Sequence, residues 1–494
     1  MKKSVTLPLG LAAVGGLGAL AASAQKQDPN VLIIHVDQLA AWTISAYGGG
    51  DEIKTPNIDR LAREGAMATN FYANTPVSTP SRGSLQSGLY PQVNGAYSNS
   101  IQIKQNIPTF ASELRDNGYS TGYAGKWHLD GNPKRPGWDI RGKDMGWTDR
   151  KYMYSFGHYK TVLDNPDPNG YPIFKPEIAV NPEDYPTDWF FTKTINFIDK
   201  HKGEKFCFML AIPDPHIPYS VRKPYDTMFP PETIKLPATL LQEPKSDHYL
   251  YNEAFPKPGE KAKEKSYGAV TQENIIKELP KWKSQYLGMI KLIDDQVGRL
   301  FSYMDENKLM DNTIIVFTAD HGDMMGEHAR MAKGVPLETA ARIPFIVRYP
   351  SKIKAGTVVP AVMSNIDFYP TLLDLTGHKT KYADKLNGQD AAPLFEGKKI
   401  KWNEAAFMRL HGDKNPWVAV VTPDYKLVYS KQDVGDKPLL IDRKKDPSES
   451  YNFATDPKYA SALKDLTKQL VDYCEEYNDP SISWLKPRAN KVLK

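Results

Sequence analysis

The chain has 494 residues and a formal net charge of +5, from 63 Lys and Arg against 58 Asp and Glu. The length suits one large domain plus a smaller one, or two to three average domains, and with 40% hydrophobic and 24% charged residues the balance is ordinary for a globular protein, which argues against a disordered chain. The weak, dispersed positive charge, without a dense Lys/Arg run, gives no case for a nucleic-acid partner.

At the start, Lys2 and Lys3 precede an apolar, small-residue stretch from Val5 to Ala21 and then Ala22-Ser23-Ala24. That order predicts a secretory signal over residues 1–24, cut before Gln25, and a secreted protein of the bacterial periplasm. No later segment offers about 18 uninterrupted apolar residues, so no membrane span is expected in the mature chain. Val31–Val36 reads as a buried strand. Thr55-Pro56 opens a helix, with Thr55 as its cap, Pro56 in its first turn and Gly65 at its end. A second helix is expected over Pro108–Asn117, followed by strands at Tyr119–Ala124 and Phe206–Ile212. Cys207 lies in the latter run, so a buried thiol is predicted there rather than a bridge to Cys474, the other cysteine. Between Pro218 and Pro280 the Pro-, Lys- and Glu-rich composition predicts long surface loops. Tyr286–Met304 reads as a long amphipathic helix, Thr313–Thr318 and Phe345–Arg348 as strands, and Asp367–Leu375 as a helix. From about Lys401 short strands (Trp417–Thr422, Lys426–Tyr429) and a last helix near Tyr459–Tyr477 predict a small C-terminal α+β subdomain. The chain is thereby divided into 25–400 and 401–494.

Alternating strands and helices predict an α/β fold, a large and mostly parallel sheet sandwiched by helices. In such sheets ligands sit beyond the carboxyl ends of the strands. The polar residues fall there: Asp37-Gln38, Asp214 with His216, and Asp320-His321. Two carboxylates, an amide oxygen and an imidazole suit a divalent cation, Ca²⁺ if oxygens dominate and Mn²⁺ if the imidazole ligates, with Mg²⁺ a further alternative. In the run from Asn74 to Leu85, Pro80 is placed like a first-turn helix residue. Ser78 would then lie beside a helix N-terminus, a natural anion site, with Arg82 in the next turn. A serine hydroxyl is a weak nucleophile, and the local sequence offers it no base. Trp138, Trp147, Tyr152, Tyr154 and Trp417 are candidates for stacking a sugar, with core packing as the alternative for most of them.

Taken together, the motifs resemble those of the formylglycine-dependent sulfatases, within the alkaline phosphatase-like superfamily. Ser78-Thr79-Pro80-Ser81-Arg82, then Ser87-Gly88-Leu89, is similar to the family's C/S-x-P-S-R and T-G-R hallmark. Gly118 to His128 looks like its G-Y-x-T…G-K-x-H segment, and Asn30 to Gln38 like its first strand and metal pair. Thr55–Ala62, Pro215-His216-Ile217-Pro218, Asp320–His328 and Asp446-Pro447-Ser448-Glu449 through Asn452 resemble further family segments in the family's order.

The resemblance implies an alkaline phosphatase-like fold and a Ser78 oxidised to formylglycine (3-oxoalanine) by an oxygen-independent maturation enzyme. The aldehyde hydrate would attack sulfur. The metal would be held by Asp37, Gln38, Asp320 and His321, with the modified Ser78 as a further ligand. Arg82, Lys126 and Lys333 would bind the sulfate oxygens, and His128 would take the proton that releases sulfate. His216, with Lys333, would protonate the leaving alcohol. His158, Arg409 and His411 are substrate-recognition candidates by polarity and expected loop position, and the expected substrate is a sulfated carbohydrate. The sequence departs from the family in Ser for the commoner Cys, in Gln38 and His321 where many members have Asp and Asn, and in Leu89 for Arg. The Gln/His variant also occurs in phosphonate and phosphodiester hydrolases, which supply a rival reaction. An unmodified, sulfated-glycan-binding protein is the third alternative.

Overall fold

The computed structural model describes residues 1, 28–130, 145–155, 157–163, 173–241, 248, 250, 264–265, 268–269, 272–412, 415–433 and 437–494. Residues 2–24 of the expected export signal, and Trp138, lie outside the described residues. No helix among the described residues is long and apolar enough to cross a membrane.

One sheet organises the larger part of the chain. Its strands are β1 (Asn30–Val36), β2 (Ala66–Tyr72), β3 (Ser120–Lys126), β4 (Asp149–Tyr154), β5 (Phe206–Ile212), β6 (Thr313–Ala319), β7 (Phe345–Arg348) and β8 (Thr357–Ser364). They stand in the order β8-β2-β7-β6-β1-β5-β3-β4. β1 runs parallel to β6 and β5, β3 parallel to β5 and β4, and β8 parallel to β2. β7 runs antiparallel to both of its neighbours. Helices pack against the sheet in two groups: α1 (Pro56–Glu64) with α4 (Pro186–His201) and α5 (Gln272–Glu306), and α2 (Ser78–Ser87) with α3 (Phe110–Asp116) and α6 (Phe368–Thr376). Every residue of β1, β5 and β6 is buried, which is why these strands read as continuous apolar runs. The fold is therefore the helix-sandwiched, mostly parallel sheet that the alternation predicts. Cys207 and Cys474 are both buried free thiols.

Several local expectations are corrected. Thr55 does not cap α1; its hydroxyl is tied up with Ser45 and Asp59. The backbone N–H groups of Asn57 and Ile58 donate instead to Asp294 Oδ1 of α5, at 3.0 and 2.9 Å, and burial raises that carboxyl to about 6. The stretch Gln272–Pro280, read as loop, is the first part of α5, which accommodates Pro280 inside it. The strands β2 and β8 were not anticipated. They alternate buried and half-exposed positions in part, and polar residues interrupt them.

Beyond Lys401, β9 (Ala406–Leu410), β10 (Trp417–Val421), β11 (Tyr425–Ser430) and β12 (Leu439–Asp442) form an antiparallel sheet. Val418, Val420, Leu427, Tyr429 and Leu440 face α7 (Ala460–Glu476) and α8 (Ile482–Leu493). The alternate positions Trp417, Ala419, Val421, Val428 and Ile441 pack on Met324, Val335 and Leu337 of the larger unit. The two units are also joined through polar groups. The wholly buried Lys426 donates from Nζ to Glu449 Oε1 (2.5 Å), Glu338 Oε1 (2.8 Å) and the Pro336 carbonyl (2.9 Å). Glu449 Oε2 accepts from the Glu338 N–H at 2.6 Å, and Trp417 Nε1 donates to the Gly334 carbonyl at 3.0 Å. The D-P-x-E segment is thus part of a latch over residues 334–338. Lys426→Met leaves a buried carboxylate without its ammonium, and we expect it to lower unfolding free energy by about 3–5 kcal/mol. A urea midpoint unchanged from wild type would show that the latch holds nothing.

Candidate functional site

The sheet's own ladder delivers two carboxylates to one point. Asp37 N–H donates to the Ile212 carbonyl (3.0 Å) and Asp320 N–H to the Val36 carbonyl (3.2 Å), so the first residues beyond β1 and β6 remain in register. Gln38 then takes a left-handed backbone conformation, φ 63°, uncommon for a residue with a side chain and one sign of a strained functional turn. On the far side of β5, Gly125 has φ +102°, and a Cβ there would sit 1.8 Å from the Ala211 carbonyl oxygen. Only glycine permits this approach, which brings Lys126 off the end of β3 toward the same point.

Asp37 and Asp320 are completely buried. Asp37 Oδ2 accepts from Lys126 Nζ at 2.5 Å and lies 3.3 Å from His158 Nε2. Burial alone would raise this carboxyl, but the Lys126 ammonium, followed by His216 and the contacts with His158 and Arg82, holds it well below the usual range. Asp320 Oδ2 accepts from Arg82 Nε (3.0 Å) and pairs with Nη2 (2.9 Å), while its Oδ1 accepts from the Gln38 and His321 N–H groups at 3.0 and 2.9 Å. Arg82 Nη1 donates to the Lys126 carbonyl at 2.8 Å. Arg82 therefore braces one carboxylate and the end of β3 together.

Ser78 is the first residue of α2, every residue of which is buried. Its Oγ lies 3.1 Å from His321 Nε2 and 3.5 Å from Asp37 Oδ1. The neighbouring imidazole that the local sequence lacks thus comes from 243 positions away. The helix is stitched in place: Thr79 N–H donates to Asn99 Oδ1 (3.0 Å), Thr79 Oγ1 to the His128 carbonyl (2.8 Å), and Ser81 Oγ to the Asp320 carbonyl. His128 itself has φ 59°, and burial, then the charges of Lys126 and Arg82, push its imidazole well below its ordinary value.

His321 provides the test for a metal. Its Nδ1–H donates to the Gly322 carbonyl at 2.9 Å, a partner that can only accept, so the Nε2 lone pair is the one facing the site. That lone pair stands 3.7 Å from Asp37 Oδ1 and 3.5 Å from Asp320 Oδ1. Burial pushes the imidazole down to about 4, so at neutral pH no ring proton relieves the repulsion. A cation does. Ligand atoms of Asp37, Asp320 and His321 lie within 4.8 Å of one another, and two carboxylate oxygens with one imidazole nitrogen fit a divalent ion. Gln38 has its amide engaged: Nε2 donates to Asp323 Oδ2 (2.5 Å) and Oε1 accepts from Lys333 Nζ (2.8 Å). Asp323, which sequence reasoning missed, also accepts from Tyr219 Oη, Met325 N–H and Ala332 N–H, and so shapes the loop that carries Lys333.

Asp37, His158 and His216 form a second such group. There, however, ammonium groups already supply the positive charge. Lys126 Nζ is 2.9 Å from His158 Nε2, and Lys333 Nζ is 2.6 Å from His216 Nε2. His216 Nδ1–H donates to the Ile217 carbonyl (2.7 Å), so its Nε2 accepts from Lys333. Burial, with Lys126 nearby, pushes Lys333 down to about 8, and burial with the Lys126 charge pushes His158 to about 3. The two rings stack face to face, centroids 3.5 Å apart and planes 2° from parallel.

The structure thus brings Asp37, Gln38, Ser78, Arg82, Lys126, His158, His216, Asp320, His321 and Lys333 into one cluster, with His128 tied to it through Thr79. His158, expected as a substrate-recognition candidate, stands against Asp37, Lys126 and His216. Arg409 and His411 form a separate group. Arg409 is buried, with Nε 3.1 Å from Asp479 Oδ2, and the His411 ring meets Tyr97 edge-on at 4.7 Å. Trp147, Tyr154 and Trp417 are core residues and Tyr152 packs edge-on against Trp189, so none of these forms an open sugar platform.

A sequence profile described as Sulfatase matches residues 29–378, and one described as N-sulphoglucosamine sulphohydrolase, C-terminal, matches residues 326–476. The chain is 29% identical to an N-acetylglucosamine-6-O-sulfatase of Bacteroides thetaiotaomicron, over 96% of this chain and 91% of that one. A solved structure of a protein in complex with its substrate D-glucosamine-2-N,6-O-disulfate superposes with a TM-score of 0.77 at 25% identity, covering 92% of this chain and 99% of that one. The phosphonate monoester hydrolase of Agrobacterium radiobacter superposes with a TM-score of 0.72 at 24% identity, covering 91% and 96%, a likeness of fold.

Asp320→Asn removes an anionic donor, and we expect at least about tenfold weaker divalent-ion binding, measured by elemental analysis after dialysis. Arg82→Lys cannot span Asp320 and the Lys126 carbonyl at once. It should weaken ion binding by about 1.5–3 kcal/mol. Metal content equal to wild type in both variants would refute the site.

Proposed function

The chain belongs to the sulfatase family, a family of sulfuric ester hydrolases, and on that premise we propose that it hydrolyses a sulfate ester carried by a carbohydrate. The observation that carries this reading is the convergence of the Ser78 hydroxyl, two buried carboxylates, the His321 lone pair and two lysine ammonium groups at neighbouring strand ends. The carbohydrate is inferred from the relatives, one described as acting on N-acetylglucosamine 6-O-sulfate and another solved with a disulfated glucosamine.

In this reading Ser78 is oxidised to 3-oxoalanine by an oxygen-independent maturation enzyme. The hydrated aldehyde offers one hydroxyl to attack sulfur and a second to expel sulfate, where serine itself would be left as a slow ester. Asp37, Asp320 and His321 would hold the divalent ion, with the Gln38 side-chain amide oxygen and the modified Ser78 as further donors; Ca²⁺ is the first choice, Mn²⁺ and Mg²⁺ the alternatives. When bound, the ion lowers the pKa of the attacking hydroxyl and offsets charge on sulfate. Lys126, aimed by Asp37 and His158, and Lys333, aimed by Gln38 and His216, bind the sulfate oxygens. The hydrogen-bond directions refine the acid. His216 uses its ring proton on Ile217, so the proton for the leaving alcohol resides on Lys333, and His216 orients it. His128 accepts the proton in the release step. Arg82 serves chiefly by fixing Asp320, and His411, beside Tyr97, is assigned to the sugar, with Arg409 supporting it. Residues 1–24 act as an export signal to the periplasm, 25–400 as the catalytic unit and 401–494 as its companion.

The test uses protein expressed with an oxygen-independent maturation enzyme and assayed on an aryl sulfate and an aryl phosphodiester. We expect turnover of the sulfate, with the Ser78 peptide lighter by two hydrogens and labelled by a hydrazine probe. Ser78→Ala should abolish turnover and still bind a sulfated monosaccharide, because the lysines remain. Turnover of the phosphodiester alone would replace the proposal with the rival reaction. Full activity with unoxidised Ser78 would remove the aldehyde from it.

A further inference from the structure

Two histidines in this site adopt an arrangement that aromatic rings do not choose for themselves. Free ring pairs prefer offset or edge-on contacts to a face-to-face sandwich. His158 and His216 nevertheless lie in register at 3.5 Å and 2°, on two different chain segments. The lysine contacts at their Nε2 atoms, the Asp37 contact of His158 and the His216 bond to the adjacent Ile217 carbonyl orient ring edges, but none of them joins the two segments directly, so some further constraint sets their spacing.

The constraint lies two residues away on each segment. Lys160 follows His158, and Asp214 precedes His216. Both are buried, at 1% and 2% exposure, and Lys160 Nζ donates to Asp214 Oδ1 at 2.6 Å. Asp214 Oδ2 accepts from Thr187 Oγ1 of α4 (2.8 Å), and Lys160 Nζ also reaches Tyr185 Oη (3.4 Å) and Met289 Sδ (3.1 Å) of α5. The Lys160 backbone is fixed as well, its N–H donating to the Lys175 carbonyl and its carbonyl accepting from Ala179 N–H. Two residues of extended chain span at most about 7 Å, so each histidine's Cα stays within that distance of the pair's.

We propose that the buried Lys160–Asp214 ion pair is a positioning clamp that keeps the His158 and His216 rings stacked and thereby aims Lys126 and Lys333 at the substrate. An apolar pair of equal volume would hold two segments together as stably, since the desolvation of a buried ion pair commonly cancels its attraction. What the ion pair adds is direction: a short, charge-assisted hydrogen bond between fixed atoms, against which an apolar contact can slide. The inference rests on the sulfatase reading for its kinetic consequence, and on geometry alone for its structural one.

The test compares wild type with Lys160→Met and with the double variant Lys160→Met/Asp214→Leu, which leaves no orphaned buried charge and so keeps the fold. Crystal structures report the ring separation. Kinetics compare 4-nitrophenyl sulfate, whose leaving group needs little protonation, with an alkyl sulfate, whose alcohol needs the Lys333–His216 acid. In the double variant we expect the rings out of stack. Efficiency on the alkyl sulfate should fall about a hundredfold or more, as befits a misplaced general acid, and on the aryl sulfate only about tenfold, from weaker binding of the sulfate oxygens alone. Rings still stacked, or equal losses on the two substrates, would overturn the clamp. If wild type hydrolyses neither sulfate, it is the sulfatase reading that fails, and ring separation alone decides the clamp.

Discussion

Two carboxylates, Asp37 and Asp320, are held wholly out of water at the ends of adjacent parallel strands, and their need for positive charge organises everything around them. Burying an ionised carboxylate costs several kcal/mol unless partners compensate. The compensation is drawn from distant parts of the chain: Arg82 from α2, Lys126 from the end of β3, and N–H groups from Gln38 and His321. The sheet cannot move one of these groups without exposing a neighbour to an uncompensated charge. Rigidity at the site is therefore an electrostatic consequence of the β6-β1-β5 register.

Three cations face three buried carboxylates, Asp37, Asp320 and Asp323. Arg82, Lys126 and Lys333 are all close to Asp37 and Asp320, and Lys333 is held at low basicity by burial and by Lys126. The proposed divalent ion among Asp37, Asp320 and His321 would tip that balance toward positive charge. With the ion in place the pocket would be undersupplied with negative charge, and an anionic ester would restore the balance on binding. Neutral imidazoles are what make such crowding of like charges tolerable. His216 accepts from Lys333, and His158 stands between Lys126 and Asp37, without either ring adding charge of its own.

Much of this was legible from the residues. Continuous apolar runs announced β1, β5 and β6 because both sheet faces are covered, and the polar residue after each run marked the site. Direction was not legible: Phe345–Arg348 reads as a buried strand whichever way it runs, and only its pairing makes it antiparallel. β2 and β8 carry polar residues at half-exposed positions and so lack a strand's signature. Within the site, Asp37, Asp320, Ser78 and Lys126 belong to motifs, whereas Asp323, Lys160 and the role of His158 depend on contacts between segments far apart in the chain. The Ser78–His321 approach is of the same kind, since no local pattern encodes a partner brought in by the opposite half of the molecule.

Given the proposed oxidation of Ser78, the complete burial of α2 would impose an order of events on the making of this protein. Ser78 sits under the polypeptide, stitched by Thr79 to Asn99 and the His128 carbonyl and by Ser81 to the Asp320 carbonyl and Asn365. Another enzyme's active site cannot reach that hydroxyl without unthreading the helix from contacts that span most of the chain. Any protein that alters Ser78 must therefore meet it during synthesis or transit, while the segment is still an extended peptide. The interval between translation and folding becomes a one-time window, and a molecule that folds before it is used stays unaltered for its lifetime.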